Sequence, residues 1–288
     1  MVSSSNVISC SGLTKFFKKR RVLDNINFEL YDGINILAGD NGAGKSTLLY
    51  LINGIISPDA GSVRINGVDP VKQHHEVLGE VSFMPERPAT LGSSSVKEYI
   101  YWFSSLKGTG KEEILNYMGL FGMDYALSST FQSLSMGESQ LVMLSCYLST
   151  DSSIFMLDEP NSNLDVSKRS IVASAIRKKA KQTNSLFLIS THVFDEIMTI
   201  YDRILLLVDG SIKSIKGKEN ISYISVLRTD KNDLMLDLIK KLDNGASLNQ
   251  DSIFTSLGIE DCARLANENG VRILSFFSLP REMGVLYE

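Results

Sequence analysis

The sequence predicts an α/β protein: a parallel sheet interrupted by an inserted helical subdomain, with a small α+β unit at the C-terminus. Three observations predict it. Short apolar segments alternate with helical ones at both ends of residues 1–217, as βαβ units do. Between them, residues 87 to about 148 lose their β-branched runs and take on helical spacing. Beyond Gly217-Lys218 the chain turns polar, and a second alternation, residues 218–288, begins near Asn220.

Taken in order, the basic run Lys15 to Arg21 reads as a solvated turn, and Val22 to Leu30 as a strand with Ile26, Phe28 and Leu30 on one face. Tyr31-Asp32-Gly33 turns the chain into a short apolar strand, Ile34 to Ala38. A helix over Ser46 to Asn53 stops before Gly54. Turn residues bracket a strand at Val63 to Ile65, and Pro85 breaks another at Val81 to Met84. Val96 to Leu106, Lys111 to Gly119 and Glu138 to Leu148 are the helices of the inserted subdomain. Strand Ile154 to Leu157, helix Ser167 to Lys181 and strand Leu186 to Ser190 resume the βαβ alternation, and Arg203 to Ser214 is a hairpin turning at Asp209-Gly210. The C-terminal unit reads as strands at Tyr223 to Arg228, Ser252 to Ser256 and Val271 to Phe277, separated by helices at Leu234 to Leu242 and Glu260 to Asn269. That βαβαβ order leaves room for a ferredoxin-like variant.

Composition narrows the function classes. With 43% hydrophobic and 22% charged residues the 288-residue chain is globular. A net charge of -4 argues against non-specific nucleic-acid binding, which needs basic patches. Cys10, Cys146 and Cys262 are far apart and lack metal-ligand spacing, as in a reducing compartment. Met1 to Asn6 lacks a signal-peptide pattern, and apolar runs such as Ile204 to Val208 fall far short of the ~20 residues that span a bilayer. The expectation is a cytoplasmic protein that reaches any membrane through a partner.

Gly39-Asp40-Asn41-Gly42-Ala43-Gly44-Lys45-Ser46-Thr47 satisfies G-x-x-x-x-G-K-[ST], with an apolar strand before it and a helix after it. The glycines let the backbone bend around an anion and aim N–H groups at it. Lys45 supplies charge for the β- and γ-phosphates, the Ser46 hydroxyl suits Mg²⁺, and the helix start adds its positive end. The loop by itself predicts a nucleotide-binding protein. Kinase, GTPase, helicase and transporter remain open at that point. Ile154 to Leu157 then runs into Asp158-Glu159, which puts two carboxylates at the C-terminal edge of a buried strand. Beside a phosphate loop, Asp158 suits a metal and Glu159 suits a base that polarises water in line with the γ-phosphate.

Further stretches resemble the ABC ATPases over roughly residues 7–215. Leu134-Ser135-Met136-Gly137-Glu138 is similar to the family signature Leu-Ser-Gly-Gly-Gln, and Pro160 to Asp165 to the D-loop. His192 sits at the position of the switch histidine, Phe17 at that of the aromatic that stacks on adenine, and Glu86, after Met84-Pro85, at the Q-loop position. The resemblance implies a phosphate-loop NTPase that binds ATP and Mg²⁺, with Ser46, Glu86 and Asp158 on the metal side and Glu159 and His192 catalytic. It implies a head-to-tail dimer with a second copy or a paralogous ATPase subunit. Ser135 and Gly137 of each would complete the γ-phosphate site of the other. It also implies transmembrane permease subunits, and so a place at the inner face of the cell membrane. Met136 for glycine and Glu138 for glutamine depart from the signature, and Ser145-Cys146-Tyr147-Leu148 replaces Ala-Arg-Ala-Leu.

The compact helical insert and the C-terminal unit resemble ABC-2-type exporters. The alternative is a soluble ABC-type ATPase of translation or DNA repair, but the chain carries neither a second cassette nor a long coiled-coil insert. A third class, a GTPase or small-molecule kinase, would lack an Asn-Lys-x-Asp guanine reader and leave the signature without a role. Among Tyr99, Tyr101, Trp102 and Phe103, some are expected to line a groove for a cytoplasmic helix of the membrane subunit. The competing reading makes them the core of the helical subdomain.

Overall fold

The computed structural model describes residues 6–86, 93–192, 199–217, 223–249 and 251–280. The chain divides into two compact units, Met1–Ile215 and Lys216–Glu288.

In the first unit, β1 (Val7–Phe17), β2 (Arg20–Tyr31) and β4 (Ala60–Ile65) form a three-stranded antiparallel sheet in the order β2-β1-β4. β3 (Gly33–Ala38), β5 (Val81–Met84), β6 (Ile154–Asp158), β7 (Leu186–Thr191), β8 (Arg203–Val208) and β9 (Ser211–Gly217) form a second sheet ordered β5-β6-β7-β3-β8-β9, with β5 through β8 and β3 paired in parallel. β6 and β7 are buried at every position, which is why they read as unbroken apolar runs. Phe155 and Phe187 stack across them with ring centres 4.6 Å apart. The β8–β9 turn holds Asp209 and Gly210 at φ 48° and 72°, the left-handed pair of a two-residue hairpin.

Around these sheets lie α1 (Lys45–Ile52), α2 (His74–Leu78) and α6 (Val166–Thr183), the last capped by the Asp165 side chain on Lys168 N. The helical subdomain comprises α3 (Val96–Lys107), α4 (Lys111–Leu120), two short 3-10 turns and α5 (Met136–Leu148). α3 and α5 both open on a capping box, Ser95 with Glu98 and Ser135 with Glu138. Tyr99 and Phe103 are 2% exposed and pack on Phe131 and Tyr147, so they are core, whereas Tyr101 and Trp102 remain exposed. The groove expectation therefore fails for Tyr99 and Phe103, whose i, i+4 spacing turns them into the subdomain.

β1 was not legible as a strand. Its inward residues, Ile8, Cys10 and Leu13, break strict alternation because register shifts intervene between Cys10 and Leu13. The turn expected over Lys15 to Arg21 shrinks to Lys18-Lys19, with strand on both sides. The second unit holds β10 (Tyr223–Thr229), α7 (Asn232–Lys240), β11 (Ser247–Asn249), β12 (Ser252–Thr255), α8 (Ile259–Glu268) and β13 (Ile273–Pro280). The three-residue β11 is the strand that sequence reading lacks. With it the order is βαββαβ and the antiparallel sheet runs β11-β12-β10-β13, a complete ferredoxin-like arrangement around Leu227, Met235, Ile239, Ile253 and Cys262.

Candidate nucleotide site

The phosphate loop links β3 to α1 at the C-terminal edge of the parallel sheet, where α/β proteins bind ligands. Its shape depends on two glycines. Gly44 sits at φ 107°, and a side chain on Gly39 would run into the Leu207 carbonyl. Lys45 is 5% exposed and curls back over the loop, donating from Nζ to the carbonyls of Gly39 (2.7 Å) and Asp40 (3.1 Å).

The same Nζ lies 3.3 Å from Glu159 Oε1, and His192 Nδ1 lies 2.8 Å from that oxygen. Glu159 follows β6 directly with φ at 51°, a conformation uncommon for a side-chain-bearing residue. Both of its backbone polar groups are held. Its N–H donates to the Ser190 carbonyl (3.2 Å) and to Ser190 Oγ (3.1 Å), and its carbonyl accepts from Gln140 Nε2 (2.7 Å). Asp158 is fully buried, and Ser190 Oγ donates to its Oδ1. Burial pushes the Asp158 carboxyl up, with the Ser190 and Ser46 hydroxyls opposing. Its Oδ2 is buried and makes no well-formed hydrogen bond among the described residues. An under-satisfied carboxylate oxygen beside a serine at a helix start is a donor set that fits a hard divalent cation.

A cavity of about 260 Å³ collects most of the residues the sequence singled out: Asn41, Gly42, Gly44, Lys45, Ser46, Thr47, Glu86, Glu159 and His192. Asp40 and Ala43 line an adjoining cavity of about 410 Å³. Phe17 stands half-exposed at the end of β1 and lines neither, while Arg20 and Val22 line both. Ser135 and Gly137 are likewise absent from both linings. Ser135 caps α5, and Gly137 packs so tightly on the Asn163 carbonyl that a Cβ there would collide with it.

Sequence reading missed Ser190 and Gln140. Their contacts to Asp158 and Glu159 bridge 19 to 32 positions of chain. One signal existed for Gln140: it is the polar residue heading the buried run Gln140 to Cys146 in α5.

The phosphate loop, paired carboxylates and parallel sheet define a phosphate-loop nucleotide-binding protein. Comparison with known proteins narrows this. The ABC transporter family model matches residues 23–162. An uncharacterized ABC transporter ATP-binding protein of Methanocaldococcus jannaschii is 32% identical over 246 residues, 81% of this chain and 86% of the relative. The ribose import ATP-binding protein RbsA of Ruegeria sp. is 30% identical over 235 residues, 77% of this chain; the match spans 45% of that relative's length. In fold, the chain superposes on a bacterial ABC transporter cassette solved as a dimer with TM-score 0.67 at 19% identity, covering 73% of this chain and 98% of the cassette. The chain belongs to the ABC transporter ATP-binding proteins, the ABC ATPases.

Proposed function

We propose that the chain is the ATP-hydrolysing subunit of an ABC exporter, closing head-to-tail with a second ATPase subunit around two ATP-Mg. One observation carries this reading. Lys45, Glu159 and His192 converge on one cavity, yet the signature residues Ser135 and Gly137 of the same chain stay out of it. The site is half of a shared one, and a second subunit's signature supplies the other half. The phosphate-loop N–H groups and Lys45 hold the triphosphate, Glu159 accepts the proton of the attacking water, and His192 orients Glu159 and the γ-phosphate. Mg²⁺, held by Ser46 and Asp158 with Glu86 at the cavity wall, supplies charge neutralisation when bound. Phe17 stacks on adenine.

No helix among the described residues is long and apolar enough to cross a membrane. In this reading, coupling to transport runs through separate permease subunits at the inner face of the membrane. The compact helical insert and the C-terminal unit, which resemble those of ABC-2-type exporters, support the export direction. The C-terminal unit stabilises the dimer or regulates it.

Complementation tests the shared site. Lys45→Ala removes nucleotide binding in one chain, and Ser135→Asp keeps the helix cap but aims a carboxylate at the other chain's γ-phosphate. Each homodimer is inactive. A one-to-one mixture restores one intact site in each heterodimer, at most about a quarter of wild-type turnover for random pairing of a two-fold dimer. A mixture as inactive as its components rejects the shared site.

A further inference from the structure

Gln140 lies within the first turn and a half of α5, just beyond the signature, and its side chain is 5% exposed. Its amide is used at both ends. Nε2 donates to the Glu159 carbonyl (2.7 Å), and Oε1 accepts from Asn163 Nδ2 (3.0 Å). The Glu159 carbonyl also accepts from Ser162 N (3.2 Å), which closes the turn that carries Asn163. Gly137, one turn earlier on the same helix, is pressed against the Asn163 carbonyl. The start of α5 therefore cannot shift without moving Asn163, Glu159 or both.

We infer that Gln140 is a positioning residue that couples the signature helix to the catalytic carboxylate of its own chain. The inference rests on the assignment of Glu159 as base and of Ser135 and Gly137 as contacts to the other subunit's nucleotide. Under that assignment α5 senses one ATP while Glu159 acts on the other. The left-handed backbone of Glu159 is pinned on its N–H side by Ser190 from β7 and on its carbonyl side by Gln140 from α5. The β7 anchor belongs to the fixed sheet. The α5 anchor belongs to the element the neighbouring nucleotide touches, so occupancy of one site adjusts the aim of Glu159 in the other. A buried hydrogen bond between rigid elements transmits such a shift because the unsatisfied alternative is costly.

The test compares purified full-length wild type, Gln140→Met, Gln140→Glu and Glu159→Gln. Gln140→Met keeps volume and removes both hydrogen bonds. Gln140→Glu keeps the acceptor for Asn163 and replaces the donor to the Glu159 carbonyl with a carboxylate oxygen that repels it. Three readouts are taken: steady-state ATP turnover across ATP concentration, affinity for a fluorescent ATP analogue, and the thermal transition. Both Gln140 variants are expected to lower kcat about tenfold, the loss of one well-placed hydrogen bond, with KM within about twofold and analogue affinity unchanged. The Hill coefficient for ATP should fall to 1 in both. If Gln140→Met does not fold, Gln140→Glu decides. A folded variant that retains wild-type kcat and cooperativity overturns the inference while leaving the site reading intact. Wild-type turnover in Glu159→Gln overturns the site reading, and this inference with it.

Discussion

Replacing Glu159 by glutamine keeps the side chain's shape and removes one charge from the centre of the site. Glu159 Oε1 stands 3.3 Å from Lys45 Nζ and 2.8 Å from His192 Nδ1, with Lys45 and Glu159 almost fully buried. Two effects of different sense follow. For turnover, the variant loses the acceptor for the attacking water's proton, and removal of a positioned general base costs about a hundred- to ten-thousand-fold in kcat. For binding, a negative charge beside the phosphate site disappears and Lys45 loses its competing partner. Two like charges about 4 Å apart repel by about 4 kcal/mol at an effective dielectric near 20. Solvent at the open mouth of the cavity screens part of that, so the gain in affinity should be about 10- to 100-fold, or about 1.4–2.8 kcal/mol. Phosphate release at saturating ATP-Mg measures the first effect, and equilibrium titration with a non-hydrolysable ATP analogue measures the second. The variant should be slower and bind tighter. Turnover within twofold of wild type sinks the base assignment. A slow variant that binds more weakly refutes the electrostatic argument, because the Lys45–Glu159 pair would then organise the loop rather than compete with phosphate.

Three further outcomes can be checked. Lys45→Ala removes both the phosphate charge and the two bonds that close the loop on Gly39 and Asp40, so analogue affinity should fall at least about a hundredfold by the same titration. Tyr125→Phe removes the hydroxyl that, with Ser135, holds the Glu138 carboxyl down at about 2 against an ordinary 4.5, so its midpoint should move upward in a carboxyl-carbon NMR titration. The sign is that of a depressed acid: the favourable contribution is complete above the ordinary value and is lost as pH falls through about 2. An unmoved midpoint would remove Tyr125 from the signature's support. Gly137→Ala forces a methyl onto the Asn163 carbonyl and should destabilise the first unit by about 1–3 kcal/mol in denaturant unfolding; an unchanged midpoint would mean that α5 and the Asn163 turn are free to part.

What was legible in the sequence was local. The strand, loop and helix around Lys45 are contiguous, and the run into Asp158 and Glu159 shows its burial in composition alone. β1 stayed hidden because its register shifts break the period that reading relies on, and β11 because three residues carry no pattern. Ser190 and Gln140 stayed hidden for a different reason: each acts on the carboxylates across the fold, and nothing near them in the chain points there. The signature departures become intelligible only with these contacts in view. Met136 projects into solvent at 66% exposure, which puts bulk on the face a second subunit would meet. Glu138 is not left facing outward as a free charge. Its Oε2 accepts from Ser135 N, its Oε1 accepts from Tyr125, and its own N–H donates to Ser135 Oγ. The Ser135 side chain in turn bonds the Glu138 carboxylate and helps hold it down, so that hydroxyl is already engaged within its own chain. A glutamate in place of glutamine therefore completes the capping box, and a γ-phosphate arriving from a second subunit would have to compete with the Glu138 carboxylate for the Ser135 hydroxyl.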